Sequence, residues 1–273
     1  MDKRRLDMLL VERGLAESRS NAQSIIMSGH VTVDGERALK PGLSVPEAAV
    51  VHVRDFEKKY VSRGGDKLEK ALACFAIDVS NAICIDAGAS TGGFTDCLLQ
   101  HGASRVYAVD VGYGQLAWKL RNDARVIVLE RLNVRNLNCT HIAENVDGVT
   151  VDVSFISLRL VLGPLAALLQ DVGWLVALVK PQFEAGRVHV GKNGVVRDPA
   201  IHEGVLKKIV DASTKVGLAA AAITHSPLRG PKGNIEYFIH FLKNSRSTME
   251  DKRELNVDHV VEWAHKAFLE KGL

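Results

Sequence analysis

One stretch concentrates the chemistry available to this sequence: Asp86-Ala-Gly88-Ala-Ser90-Thr91-Gly92-Gly93-Phe94, set between the apolar run 82–85 and a helix predicted over 94–101. Glycines let a backbone approach a ligand closely, and a helix N-terminus adds free N–H groups and the positive end of a dipole. The spacing is G-x-x-x-G-G rather than the G-x-G-x-x-G of a dinucleotide site, so a nicotinamide or flavin dinucleotide fits poorly. An acid at the strand end ahead of the first glycine suits a cofactor that carries an ammonium group, as S-adenosylmethionine does beside its carboxylate. Asp110, 22 residues beyond Gly88, ends the next apolar run, where it can accept both hydroxyls of an adenosine ribose. Asn133, after the third run, either contacts adenine or caps its own loop. The cofactor-binding set is therefore Asp86, Gly88, Ser90, Thr91, Gly92, Gly93, Phe94, Asp110 and Asn133, with Asp152 beside them.

The acceptor is read from Val151-Asp152-Val153-Ser154-Phe155, after the fourth run. The Asn/Asp-Pro-Pro-aromatic tetrapeptide that grips an exocyclic amine is missing, and no cysteine follows a proline as the covalent route to a pyrimidine carbon requires. A hydroxyl acceptor remains. Methylating it requires stabilising a developing alkoxide, which a lysine held beside a carboxylate in a dry pocket can do. Lys180 ends the apolar run 174–179 at the edge where open α/β sheets collect ligands, and Asp152 ends a neighbouring run on the same edge. The alternative for Lys180 is a snorkelling surface lysine. Lys67 sits in a first helical turn against the helix dipole, either for function or as a solvated charge; Glu236 opens the last strand, as a site residue or an edge-strand gatekeeper.

Alternating elements must position these groups. Helices are predicted over 66–75, 94–101 and 200–215, and strands over 82–87, 106–111, 126–129, 149–153, 174–180, 219–224 and 236–241. The alternation argues for an α/β, doubly wound and mostly parallel sheet. Residues 230–233 are too few for a crossover helix, so the last two strands form an antiparallel pair at the sheet edge. Ahead of this lies a unit of another kind: helical spacing of Leu6, Leu9 and Leu10, a second helix capped by Ser18 and stopped by Gly29, and strands over 30–33 and 50–53 around Asp34-Gly35 and Pro41-Gly42. The boundaries read as 1–57 for this unit, 58–62 for a linker, 63–244 for the sheet domain and 245–273 for a tail. Val257, Val260, Val261, Ala264 and Phe268 make the tail a helix that packs on the domain or binds a partner.

At 273 residues, with 47% hydrophobic and 25% charged, the chain has the composition of a globular protein and excludes collagen-like, mucin-like and wholly disordered classes. Net charge is +3, so any nucleic-acid contact must come from local patches. Cys74, Cys84, Cys97 and Cys139 form no C-x-x-C pair, which points to a reducing, cytoplasmic setting and away from structural zinc. The apolar stretch 8–11 is too short for a signal peptide, and the span 160–179 is broken by Gly163, Pro164, Gln170 and Asp171 into a helix and a buried strand rather than a membrane span.

Together these residues resemble a known family. The sheet domain is similar to class I (Rossmann-like) ribose 2′-hydroxyl methyltransferases of the FtsJ-like type, in which a Lys-Asp-Lys-Glu tetrad surrounds the acceptor hydroxyl; here the tetrad falls on Lys67, Asp152, Lys180 and Glu236. Ser62-Arg-Gly-Gly65-x-Lys67-Leu68, Asp152-Val-Ser-Phe-Ile-Ser-Leu158 and Lys180-Pro-Gln-Phe-Glu184, preceded by Arg5-Leu-Asp7 and Ser18-Arg19-x-x-Ala22-Gln23, resemble the TlyA family from Arg5 to about Lys243. The first unit resembles the αL RNA-binding domain, an α+β fold first described in a small-subunit ribosomal protein. The resemblance implies S-adenosylmethionine as cofactor and methyl transfer to the 2′-hydroxyl of cytidine in ribosomal RNA of one or both subunits. On the first unit, Arg4, Arg5, Arg13 and Arg19 would meet phosphates, with Ser18 and Gln23 alongside, reading RNA shape rather than sequence. Its charge balance of 10 basic to 9 acidic residues over 1–62 makes the resemblance the main support. Family members are often labelled hemolysins, but the sequence has neither a spanning helix nor an alternating barrel pattern. The competing readings are a membrane-active hemolysin and a non-catalytic assembly factor that keeps the cofactor fold; no stable membrane association is expected.

Overall fold

The chain divides between Lys58 and Lys59 into two units, each with its own core. The computed structural model describes residues 3–16, 18–54, 59–243 and 255–270; residue 58 of the predicted linker and the tail segment 245–254 lie outside them.

In the first unit, α1 (Leu6–Glu12) and α2 (Arg19–Met27) bury Leu6, Leu9, Leu10, Ile25 and Ile26 against one another. Ser18 caps α2 by accepting from the Asn21 N–H at 3.2 Å. A three-stranded sheet follows, ordered β3 (Glu36–Ala38), β2 (Val31–Val33), β5 (Val51–Val53). Its hairpin turns on Asp34 and Gly35, both at positive φ, as a tight two-residue connection requires. Strands β1 (Lys3–Arg5) and β4 (Ser44–Pro46) pair separately. Sequence periodicity predicts only two strands in this unit because three-residue strands are too short to show a period.

The second unit is built on a seven-stranded sheet of β6 (Ile83–Ala87), β7 (Arg105–Val109), β8 (Val126–Leu129), β9 (Val146–Val151), β10 (Leu169–Val179), β11 (Leu218–His225) and β12 (Tyr237–Lys243), ordered β11-β12-β10-β9-β6-β7-β8. Strands β10, β9, β6, β7 and β8 are parallel to their neighbours, while β12 runs antiparallel between β10 and β11. The predicted antiparallel pair at the edge thus exists, with β12 as its inner strand. Side-chain alternation assigns the faces. Ile85, Val149, Val151, Ala177, Val179, Tyr237 and Ile239 enter one core with α6 (Leu162–Leu168), α8 (Pro199–Thr214) and α9 (Val257–Glu270). Cys84, Val176, Leu178 and Phe238 enter the other with α3 (Arg63–Phe75), α4 (Gly93–Gln100) and the short α5 (Trp118–Arg121). Covering both faces is what lets parallel strands be apolar throughout.

Several expectations are corrected. Residues 59–62 are part of the second unit rather than a linker: Tyr60 is 1% exposed in the core, its ring seated on Gly65, and the Val61 N–H donates to Asp96 at 2.8 Å. Strands β7 and β9 end two residues earlier than predicted, so Asp110 and Asp152 are the first loop residues beyond their strands. The crossover from β8 to β9, for which no helix is predicted, carries a 3-10 turn, Val134–Asn136. The tail helix uses its periodic face internally, burying Val257, Val261, Ala264 and Phe268. Among the described residues no helix is long and apolar enough to cross a membrane, and no group of three or more His, Cys, Asp or Glu could hold a metal ion.

Candidate active site and RNA-facing surface

The turn after β6 is shaped by what cannot fit there. Gly88 has φ +90°, and a Cβ on it would lie 2.6 Å from the Asp152 carbonyl oxygen, so the two strand ends meet only through glycine. A Cβ on Gly93 would stand 2.2 Å from Ser62 Oγ and 3.0 Å from the Gly65 nitrogen, which explains the paired Gly64-Gly65 opposite: the N-termini of α3 and α4 touch. Ser90 and Thr91 are exposed on the rim. Asp110 accepts from the Ser90 N–H at 2.8 Å and the Gly112 N–H at 2.7 Å, which fixes a carboxylate beside that rim. This cradle and carboxylate fit a nucleoside with an amino-acid tail.

Not every residue of the predicted set lines the cradle. The carboxylate of Asp86 lies beneath the turn, wholly buried, where Oδ2 accepts from the Thr95 N–H at 2.8 Å and the Thr95 hydroxyl at 2.7 Å. It braces the start of α4 rather than offering an open partner to an ammonium, because position 86 faces the helix side of the strand. Phe94 is 3% exposed and packs on Phe238, so it is a core residue, and Gly92 and Gly93 are buried with it. Of the two readings of Asn133, the cap is realised: its Oδ1 accepts from the Arg135 N–H at 3.0 Å.

Burial pushes the Asp86 carboxyl up to about 7, opposed by the bonds from Thr95 and reinforced by the negative charge of Asp152. The native state therefore keeps this proton to higher pH than the unfolded chain. The associated stability is complete below the unfolded value of 3.8 and is lost as pH rises to about 7. Asp86→Asn has no such proton to lose, so its melting temperature relative to wild type rises across this window. A difference that stays flat over the same pH range, measured by thermal scans, refutes the assignment.

The four residues matched to the tetrad lie at the carboxyl ends of the parallel strands as two ion pairs. Lys180 Nζ is 2.7 Å from Asp152 Oδ1 and donates to Ser154 Oγ at 2.8 Å. Lys67 Nζ reaches Glu236 Oε2 at 2.6 Å, with the Lys67 side chain 11% and Glu236 1% exposed. Parity and register account for the convergence. Asp86 pairs with Thr150, Thr150 with Val176, Val176 with His240 and Leu178 with Phe238, so one row of positions faces α3 and α4. Asp152, Lys180 and Glu236 continue that row by steps of two, and α3 brings Lys67 to it.

Three groups that the sequence reading left without roles hold this edge together. Ser154 is a second acceptor for Lys180. Glu184 accepts from Ser157 Oγ and the Leu158 N–H, both at 2.7 Å, tying the loop after Asp152 to the short helix α7 (Pro181–Glu184) after Lys180; burial pushes its carboxyl up. Asn234 accepts from the Val196 N–H at 3.0 Å and donates to the Gly194 carbonyl at 2.9 Å, which anchors the loop ahead of α8 beside Glu236. Phe155 is 90% exposed at φ +63°, its ring 4.9 Å from that of Phe183. This exposed aromatic in a left-handed conformation follows the half-buried Lys180–Asp152 pair along the same loop. The spacing Asp152-x-Ser154-Phe155 is the sequence signal that was available for Ser154 and Phe155.

On the first unit, Arg5, Arg19 and Gln23 converge on Asp7, while Arg4 is exposed on β1. Arg13 instead holds the turn before β5, donating to the Ala49 carbonyl at 2.8 Å and to the Glu47 carbonyl. Ser18 acts as the α2 cap. These two are thereby committed to the fold of the unit and not to a free phosphate-facing surface.

Comparison with known proteins matches residues 60–243 to the FtsJ-like methyltransferase family and residues 4–51 to the S4 domain. A Bacillus subtilis protein provisionally named an rRNA methyltransferase, YqxC, is 49% identical over 271 residues, covering 98% of this chain and 96% of its own. The 16S/23S rRNA (cytidine-2′-O)-methyltransferase TlyA of Mycobacterium tuberculosis is 49% identical over 236 residues, 86% of this chain and 88% of its own. A solved Streptococcus thermophilus structure, provisionally named a hemolysin, superposes with a TM-score of 0.76 at 44% identity, covering 100% of this chain and 99% of that one.

Proposed function

Because the chain belongs to the FtsJ-like methyltransferase family, we propose that it methylates the 2′-hydroxyl of a cytidine in ribosomal RNA, with the S4 domain gripping the RNA. S-adenosylmethionine supplies the methyl group, activated by the positive charge on its sulfur. The observation that carries the reading is the double ion pair, Lys180 with Asp152 and Lys67 with Glu236, assembled at the strand edge that also ends in the Gly88 turn.

Each residue has work suited to that reaction. Ser90, Thr91 and the backbone freed by Gly88 form the rim against which the donor lies, and Asp110 accepts from its ribose hydroxyls. Lys180, held by its ion pair with Asp152 and its hydrogen bond to Ser154, points an N–H donor at the incoming hydroxyl and stabilises the oxygen as its proton passes to solvent water. Asp152 keeps the ammonium oriented. Lys67, neutralised by Glu236 in a nearly closed pocket, sits where it can orient the ribose or its phosphate. Water exclusion strengthens each of these interactions. Four free cysteines suit the reducing cytoplasm in which ribosomal RNA is modified.

Phe155 is the platform proposed for the target base. Base–aromatic stacking is worth about 1–3 kcal/mol per base, so Phe155→Ala lowers kcat/KM for RNA by about tenfold and leaves cofactor affinity unchanged. Equal activity of the two proteins in single-turnover assays removes Phe155 from the site.

The function itself is tested by incubating the protein with methyl-labelled S-adenosylmethionine and separated ribosomal subunits, then mapping the label by nucleoside mass analysis. Label on a cytidine ribose is expected. RNA that binds without acquiring label points to a non-catalytic assembly factor, and label on a base overturns the hydroxyl assignment.

A further inference from the structure

Asp7 is a fully buried carboxylate beneath two exposed arginines of the first unit, a position hard to explain by charge alone. An acid placed under an RNA-facing surface weakens phosphate attraction unless it does something more valuable. Its contacts show what that is. Arg5 donates through Nε at 3.0 Å and Nη2 at 2.9 Å to the two carboxylate oxygens, Arg19 donates through Nε at 3.0 Å, and Gln23 donates at 2.9 Å. The Arg5 and Arg19 side chains are 48% and 57% exposed, while that of Asp7 is sealed beneath them at 0%. The guanidinium of Arg5, first of all, holds the Asp7 carboxyl well below the usual carboxylate range, so the charge persists at any working pH.

From this geometry we propose that Asp7 is the organiser of a two-pronged RNA-backbone clamp, fixing Arg5 and Arg19 so that their outer edges take phosphodiester groups. Arg19, bound through Nε, keeps both terminal nitrogens for a second acceptor, and Arg5, bound side-on through Nε and Nη2, keeps Nη1 and the outer hydrogen of Nη2; phosphate accepts such a fork in bidentate fashion. Two flexible arginines must each lose rotamer freedom on binding; here the loss is met during folding, so RNA binding does not bear it. The three elements concerned are consecutive, Arg5 at the end of β1, Asp7 in the first turn of α1 and Arg19 opening α2, so the prongs are set by the local fold and not by a long loop. The inference rests on the reading that the S4 unit grips ribosomal RNA.

The test opposes charge to geometry. Asp7→Asn removes a negative charge, and by charge alone it strengthens RNA binding; as the loss of an organiser it weakens binding of the full-length protein to purified ribosomal subunits by about tenfold, two side chains now being ordered at binding. The same substitution is made in an Arg5→Gln, Arg19→Gln background, where the clamp is already gone and Asp7→Asn is expected to cost nothing further. Binding by the single variant that equals or exceeds wild type overturns the proposal. So does an equal loss in both backgrounds, which places Asp7's role in the stability of the unit. In both of those cases the arginine double variant still binds less tightly than wild type, and the RNA-gripping reading stands. If that double variant binds like wild type, the reading of the unit fails, and the clamp with it.

Discussion

Lys180→Ala is expected to slow methyl transfer by about 10²–10⁴-fold, the range associated with losing a group that moves or stabilises a proton and charge in the transition state. Affinity for S-adenosylmethionine stays close to wild type, because the Gly88 turn and Asp110 lie on other strands of the sheet. The loss falls on kcat: the ammonium meets the acceptor oxygen most strongly when negative charge has developed there. Lys180→Arg does not restore the rate, since a planar fork cannot satisfy Asp152 and Ser154 and still direct a donor at a third point in the same space. Single-turnover rates alongside calorimetric cofactor binding check both halves of this expectation. A wild-type rate in the alanine variant removes Lys180 from the mechanism.

Glu236→Ala is the change with the largest effect on stability. It leaves Lys67, 11% exposed, facing an emptied pocket with no counter-charge, and stranding one member of a buried pair costs about 3–5 kcal/mol. The double variant Lys67→Met, Glu236→Leu replaces the pair by apolar side chains and recovers most of that stability, because the desolvation cost of both charges disappears together. It does not recover methyl transfer. Denaturant unfolding of the wild-type protein and the two variants, read with their activities, separates the two roles. A double variant that is both stable and active leaves the pair with no part in the chemistry.

How far the site was legible in the sequence follows from what each residue depends on. Asp86, Gly88 and Gly92-Gly93 were identifiable as a ligand-binding turn because a strand, a glycine cluster and a helix start are local, and their spacing survives in one dimension. The short strands β1, β3 and β4 were not, having too few residues to show alternation. Asp86 and Phe94 point beneath the turn, since a motif says which residues neighbour a ligand-binding loop but not which way each side chain faces. Glu184 and Asn234 went unassigned because their partners, Ser157 with Leu158 and Val196 with Gly194, lie 26 to 40 residues away.

Position at the carboxyl end of an apolar run was enough to send Asp152 and Lys180 to one edge of the sheet, because parallel strands bring those ends together. Pairing was another matter. Lys67 and Glu236 are 169 residues apart and meet only because β12 enters antiparallel beside β10 while α3 packs across that face. Strand order, register and the docking of a helix are set by how apolar surface is shared across the whole molecule, so a buried ion pair assembled from distant segments is decided there.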